Sequence, residues 1–503
     1  MARSVGQDVA VATDEQRGLV FPADAEGRRS TSRTGRAVVA DALRGVDPTG
    51  ARAAEQSTSW RSDYLVHVRR LVEAGLATPE DAVTIARDGL ASLHGRMRVA
   101  DADGDHRLED WPTAAAGAGD AGALEGVEVV GNGQAVTELV LPYRGERLRG
   151  PGILRRVEKW VEAGVVEPTV ADAVEAVLDN PDWLRLEGRT VAVLGAGAEM
   201  GPLPSLMRWG ARVAAVDLGR PEIWKRMLTL AKDGAGTLVA PVAARAGGPL
   251  DEVAGADLLT GVPAVADWLR EEPGSLVLGN YVYADGAVNT RLSAAVDELT
   301  VRLQASRDDV ALGFLATPTD VFAVPGEAVD HSTRAYEERG ARAKLLGRPL
   351  RTLTGGRLLR RQYVAGSDPG TNDSLVPQQG PNYALAKRVH RWRATVARAD
   401  GAVVSMNVAP PTRTRSVVKN RALAAAYAGA HRFGVEVFDP STSNVLMAAL
   451  LVHDLHTGGG PRHEHPWQDE AYAAAHGGLW RAPYAPRSAL GLAAVLGYGA
   501  ARG

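Results

Sequence analysis

Cysteine is absent from all 503 residues. That excludes disulfides, thiolate catalysis and cysteine-ligated metals, and leaves the redox compartment open. Lysine is nearly as scarce, with six residues against 51 arginines, so each ammonium group can be weighed singly. A field of one sign is missing too: with a net charge of −3, nothing draws the chain as a whole to nucleic acid or to an acidic membrane. No apolar run approaches the roughly 18 residues that a membrane span requires, the longest being Val445 to Val452. The first residues are polar and charged and do not form the apolar stretch of a signal peptide. These absences lead us to expect a soluble, cytoplasmic protein with neither nucleic-acid nor membrane partners.

What is present centres on Thr190-Val-Ala-Val-Leu-Gly-Ala-Gly-Ala-Glu-Met-Gly201. An apolar strand runs into a glycine-rich turn and then a helix, and a second apolar run follows and ends at Asp217. This is the pattern of a dinucleotide-binding βαβ unit. Gly195, Gly197, Ala198, Glu199, Met200 and Gly201 would bring backbone N–H groups to a pyrophosphate. Asp217, about 20 residues after the turn, is placed to accept ribose hydroxyls and to repel the extra phosphate of NADP. NAD is therefore slightly favoured over NADP, with Arg220 close by as a counterweight. The third glycine arrives one residue later than in the standard fingerprint.

Further strands are expected at 237–242, 275–283 and 310–316, with helices at 262–271 and 290–304 between them. Alternation of this kind implies an α/β fold, a Rossmann-like doubly wound parallel sheet with helices on both faces. Its site should lie at the carboxyl ends of the strands, where Asp257, Asn280 and Thr317 fall.

Residues 1–57 are expected to be disordered or loosely attached. Residues 58–186 form a mainly helical N-terminal domain with two related helical hairpins, since Leu71-Val-Glu-Ala-Gly75 is echoed by Trp160-Val-Glu-Ala-Gly164 and Pro79 by Pro168. Between the hairpins, Val127–Val130 and Glu138–Leu141 suggest a small β-hairpin. The nucleotide-binding unit covers 187–455 and carries an insertion over 318–380, in which a helix is expected at 332–345 and a strand at 360–365. Residues 456–503 hold a histidine-containing loop and a final helix.

After the insertion, Tyr383 and Lys387 stand at i and i+4, on one helix face. With the glycine turn, the acidic end of the second strand, the Asn280 position and the Pro410-Pro-Thr-Arg-Thr414 turn, this layout resembles the short-chain dehydrogenase/reductase superfamily over about 189–454. The resemblance implies an NAD(P) cofactor and a small-molecule substrate. It implies that Tyr383 is the acid/base and that Lys387 lowers its pKa and bonds the nicotinamide ribose, with Thr414 near the nicotinamide amide. A hydroxyl beside Tyr383 is also implied, and Thr317 and Ser367 are the candidates. The resemblance is compatible with a homo-oligomer.

The expected activity is hydride transfer at a carbonyl or alcohol carbon. An epimerase or dehydratase of the same type, and a non-catalytic NAD(P)-binding sensor or assembly module, are the alternatives. No metal ligand is assigned: the histidines between His453 and His465 lie in a glycine-rich stretch without an established ligand spacing.

Overall fold

The computed structural model describes residues 17–111, 122–340, 345 and 349–498. The chain enters through β1 (Gly18–Val20) and four helices, α1 (Thr31–Arg44), α2 (Pro48–Glu55), α3 (Trp60–Ala74) and α4 (Pro79–Arg96). The strands β2 (Arg98–Ala100) and β3 (Asp105–Arg107) follow, and β2 pairs antiparallel with both β1 and β3. Then come β4 (Leu124–Val130), the hairpin of β5 (Val140–Tyr143) and β6 (Glu146–Arg149), and the helices Pro151–Glu162 and Pro168–Asp179. The helix starts obey local rules. Thr78 caps α4 by accepting the Asp81 N–H at 3.1 Å, and Pro79 and Pro168 occupy first helical positions that need no donor.

From here strands and helices alternate. β7 (Arg189–Leu194), β8 (Arg212–Val216), β9 (Thr237–Ala243), β10 (Ser275–Asn280), β11 (Val310–Ala316) and β14 (Val404–Val408) run parallel. β12 (Val321–Val324) and β13 (Gly370–Asp373) pair separately as an antiparallel ribbon. The seven-stranded sheet has the order β14-β11-β10-β7-β8-β9-β4. Its six parallel strands wind outwards in both directions from β7, so the topological switch point lies between β7 and β10. Side chains alternate across the sheet: Val191 and Val193 enter one core, Ala192 and Leu194 the other. Both faces are covered, which is why these strands read as continuous apolar runs.

Four expectations differ from the structure. Residues 31–55, expected to be loose, form α1 and α2, with Val38, Val39 and Leu43 buried. Their apolar stripe is built largely from alanine and glycine and lacks the bulky periodicity that marks a helix in sequence; residues 1–16 of the expected arm lie outside the described residues. Val127–Val130 does not make a hairpin with Glu138–Leu141. It belongs to β4, which adds antiparallel to β9 at the sheet edge, while β5 pairs with β6. The stretch 360–365 is not a strand and makes one bridge, Arg361 with Tyr484; the helix expected at 332–345 starts earlier, as Gly326–Glu337, and residues 341–344 of the expected span lie outside the described residues. Finally, the two related helical hairpins do not form one body. Tyr64, Leu71, Ile85 and Leu90 of the first pack into one core, and Ile153, Trp160, Val170 and Val174 of the second pack into the other. They lie on opposite sides of the same sheet, the first over the helix Gly380–Ala399 and the second over the helix Pro440–His456.

Candidate active site

The site begins where β7 stops. Gly195 has φ +75°, and a Cβ there would stand 3.1 Å from the backbone of Tyr281 and Val282. Only glycine lets the turn pass this close to the end of β10. The Gly195 and Ala196 N–H groups bond to the Val216 carbonyl, and two successive turns follow, Ala198 N–H to Gly195 and Gly201 N–H to Ala198. This second turn accounts for the late third glycine. The helix after it, Leu203–Trp209, is short, and neither Pro202 nor Pro204 has an N–H to offer. The Asn444 side chain bonds both the Gly201 carbonyl and, at 2.8 Å, the Ser205 hydroxyl, which holds the exit of the loop.

Asp217 lies at the carboxyl end of β8. Its Oδ2 accepts the Gly197 N–H at 2.7 Å and its Oδ1 the Leu218 N–H at 2.8 Å. A carboxylate has about four acceptor positions, so each oxygen keeps one for a ribose hydroxyl. Arg226, on the helix Pro221–Asp233, donates to the Gly197 carbonyl at 2.8 Å and brings an exposed guanidinium to the same corner. Arg220 is the N-cap residue of that helix. Asp257 caps the helix Leu258–Arg270 by accepting the Leu259 N–H at 2.9 Å, and it adjoins Asp217 through the Ala256 N–H, which bonds the Asp217 carbonyl.

At the switch point stands Asn280, with 4% of its surface exposed. Its Oδ1 accepts the Val282 N–H at 3.3 Å, while its Nδ2 has no partner among the described residues. Asn289, at the start of the helix Gly286–Ser306, repeats this: Oδ1 accepts the Ala284 N–H and Nδ2 is buried and unpartnered. Buried amides left open in this way are expected to meet water or a ligand.

Tyr383 and Lys387 lie on the helix Gly380–Ala399. The Thr290 hydroxyl donates to the Asn382 carbonyl at 3.0 Å, which ties this helix to the one bearing Asn289. Burial pushes the Tyr383 phenol above its ordinary pKa, against the influence of the neighbouring Thr317 and Gln379 side chains, which favours the phenolate. The direction is opposite to the expected lowering, because desolvation outweighs both. Thr317 also shares a hydrogen bond of 2.9 Å with Thr319, whose hydroxyl accepts from Gln379 at 2.8 Å. Burial pulls the Lys387 ammonium down to about 8, partly opposed by the Asp320 carboxylate, and its Nζ lies 6.0 Å from the centre of the Tyr383 ring. Tyr283 meets that ring edge-on with centres 6.4 Å apart.

Of the two candidate hydroxyls, the structure brings Thr317 to Tyr383. Ser367 instead donates to the Val364 carbonyl at 3.0 Å within its own turn, and the next residue, Asp368, accepts the Gly326 N–H on the far side of the insertion. Thr414 is the N-cap residue of the short helix Arg415–Lys419 and pairs with the Ser416 hydroxyl at 3.0 Å. The neighbouring Arg415 N–H donates to Glu199 at 2.9 Å, so this turn reaches the glycine loop. Gln379, Tyr283 and Asn289 were not singled out in the sequence. Gln379 stands just before the tyrosine helix, but its role depends on reaching Thr319, far away in the chain.

The histidines are distributed among structural roles. His456 stacks on Trp183, His463 stacks on Tyr472, and His465 caps the helix Pro466–Tyr472. Among the described residues, no three His, Asp or Glu side chains stand together as a metal site, and no helix is long and apolar enough to cross a membrane.

No protein-family model matches the chain, and no curated protein matches it in sequence. Among solved structures, a thiolation-reductase di-domain from an archaeal non-ribosomal peptide synthetase is similar at TM-score 0.28 and 10% identity, over 56% of this chain and 54% of that one. The terminal R domain from the myxalamid PKS-NRPS biosynthetic pathway is similar at TM-score 0.27 and 15% identity, over 52% of this chain and 62% of that one. The chain thus spans less than two thirds of the length of either.

Proposed function

We propose that this chain is an NAD(P)-dependent oxidoreductase acting on a small carbonyl or alcohol substrate, with Tyr383 moving the proton at the substrate oxygen. The observation that carries the reading is that the Thr317 side chain stands beside Tyr383 and favours its phenolate, at the carboxyl end of β11, with an ammonium group one turn along the tyrosine's helix. Tyr383 gives or takes the proton, and Thr317 donates to the substrate oxygen, held in place by Thr319 and Gln379. The Lys387 charge favours the phenolate.

Bound nicotinamide supplies or accepts the hydride. The residues suited to hold it are the loop Gly195, Gly197, Ala198, Glu199, Met200 and Gly201, in which the Gly195, Gly197, Ala198 and Gly201 N–H groups are spent on shaping the turn and Glu199 and Met200 stand between them, together with Asp217, Asp257, Asn280, Lys387 and Thr414. The free acceptor positions of Asp217 and the open amide of Asn280 support this placement. The negative charge of Asp217 favours NAD over NADP, and Arg226 and Arg220 oppose that preference. An epimerase or dehydratase that takes a hydride and returns it would use the same groups.

The raised Tyr383 pKa favours a second reading, a dinucleotide-binding module without turnover. Calorimetric titration with NAD+, NADH, NADP+ and NADPH, combined with a carbonyl and alcohol substrate screen on the native chain and on Tyr383→Phe, separates the two. Binding with turnover that Tyr383→Phe abolishes supports the enzyme. Binding with no turnover supports the module, and no binding of any of the four nucleotides overturns both.

A further inference from the structure

β4 closes one edge of the seven-stranded sheet. It pairs antiparallel with β9 over its whole length, from Leu124 opposite Ala243 to Val130 opposite Thr237. Two flanking bonds fix its phase: the Ala244 N–H donates to the Ala123 carbonyl at 3.0 Å, and the Gly131 N–H to the Gly236 carbonyl at 2.9 Å. Bonded and non-bonded pairs alternate in such a ladder. Glu125, Val127 and Val129 therefore exchange bonds with β9, while Leu124, Gly126, Glu128 and Val130 direct their N–H and C=O groups to the open side. Pro241 fits this phase, because it stands opposite Gly126, where β4 asks for no donor.

The strand is exposed, with Val127 at 39% and Val130 at 63%. Open edges are commonly blunted by lysine, proline, a bulge or a covering element. β4 contains no lysine or proline and pairs without a bulge, and among the described residues no strand pairs with its outer side.

We propose that this edge joins two copies of the chain, β4 against β4, antiparallel about a two-fold axis through Val127. The sequence of the strand selects a second copy as the occupant. In this register all four outward residues find outward partners: Leu124 pairs with the partner's Val130, and Gly126 with the partner's Glu128. Val127 meets its own copy in a non-bonded pair, and Glu125 faces the partner's Val129, so no glutamate opposes a glutamate. Centring the axis on Gly126 or Glu128 leaves one outward residue without a partner, and the second of these also sets Glu128 against itself.

A second feature meets the partner in the same register. A cavity of about 700 Å³ lies between β4 and the end of the helix Leu258–Arg270. It is lined by Trp268, only 6% exposed, whose indole N–H has no hydrogen-bond partner among the described residues. A Cβ on Gly126 would lie 3.0 Å from that nitrogen and 3.4 Å from Glu272 Oε1, so the glycine makes room on this face while the indole N–H stays buried beneath it. Directly opposed residues project to the same face, which brings the partner's Glu128 to this opening. Glu128 pairs with its own Arg212 at 2.7 Å, which also bonds Glu272, so the carboxylate carried to the opening arrives with its counter-charge.

The absence of cysteine makes the test direct. Val127→Cys would carry the chain's only thiol, on the axis, where a non-bonded pair sets the two Cα atoms about 4.5 Å apart, within disulfide range. Val66, exposed on α3, gives the control Val66→Cys. Sedimentation velocity over a concentration series should show the native chain as a dimer, and Val127→Lys should weaken association by about tenfold or more through like-charge contact, with melting curves that coincide once both chains are diluted to monomers. Mild oxidation should link Val127→Cys into dimers well ahead of Val66→Cys. A monomer across the series, a dimer indifferent to Val127→Lys, or cross-linking of Val127→Cys no faster than the control overturns the proposal.

Discussion

The carboxylate of Asp217 accepts the N–H of Gly197 at 2.7 Å, so the acidic end of β8 directly holds the turn that leaves β7. Asp217→Ala removes this tie along with the ribose acceptors. Each charged hydrogen bond contributes about 1.5–3 kcal/mol, so NAD affinity should fall at least tenfold. Asp217→Asn keeps an acceptor and removes the repulsion, and the balance should move towards NADP. Calorimetry with both nucleotides measures the two effects, and affinities untouched by either substitution would remove Asp217 from the site.

Lys387, with its pKa near 8, gives stability and activity opposite pH trends. A lysine depressed in the folded state has released its proton there between about pH 8 and 10.5 while still holding it unfolded, so its contribution to stability rises with pH across that window. The charge that favours the Tyr383 phenolate is lost over the same rise, and turnover should decline above pH 8. Lys387→Met should raise stability near neutral pH by about 1–3 kcal/mol and abolish turnover. Thermal melts beside rate measurements decide this, and an unchanged melt would show an ammonium that remains hydrated.

His94 joins α4 to the sheet-covering helices. Burial disfavours its charge, but the hydrogen bond to Asp297 at 2.6 Å and the ion pair with Glu298 at 3.4 Å outweigh burial and raise its pKa to about 9. For a group raised on folding, the stabilisation is complete below the unfolded value near 6.5 and is lost as pH rises through about 9. The shift corresponds to about 3 kcal/mol. The midpoint of urea unfolding should fall between about pH 6.5 and 8, below the window in which Lys387 acts the other way, and His94→Gln should flatten that slope. A native slope no steeper than the variant's would count against the pair.

Glu167, 1% exposed, binds His476 at 2.9 Å and Arg481 at 2.6 Å. Burial alone would raise its pKa, yet these partners bring it down to about 2. The stabilisation of such a lowered carboxylate is present above about 4.5 and disappears as pH falls through about 2. Glu167→Gln leaves Arg481 buried beside a neutral amide and should cost about 3–5 kcal/mol at pH 7, read by denaturant unfolding. A loss below 1 kcal/mol would mean that water replaces the carboxylate.

The parallel strands were legible because burial on both faces turns them into plain apolar runs, and Asp217, Tyr383 and Lys387 stood out because local spacing alone places them. What the sequence concealed depends on distant packing. The helix α1 is hidden by its small residues: Gly35 presses on Trp60 and Leu385, contacts that leave no periodic mark. β4 resembles half of a hairpin until β9, more than a hundred residues on, takes it as an edge. Thr317 and Ser367 could not be told apart by spacing, since the path of the insertion decides which hydroxyl meets Tyr383. The direction of the Tyr383 shift was likewise set by burial, which no i, i+4 pattern reports.

The first helices have their counterpart far along the chain. Gly89 of α4 lies against Trp392, where a Cβ would come within 2.5 Å of the ring, and Arg87 pairs with Asp400 at 2.5 Å. During synthesis at about 5–20 residues per second, α1–α4 leave the ribosome roughly 15–60 seconds before the surface they cover exists. For that interval Tyr64, Leu71, Ile85 and Leu90 lack the helix Gly380–Ala399 that α3 and α4 pack against. The nascent chain therefore passes through a long stage in which its N-terminal quarter is adhesive, and a helper that shields it until Trp392 emerges should raise the yield of folded protein.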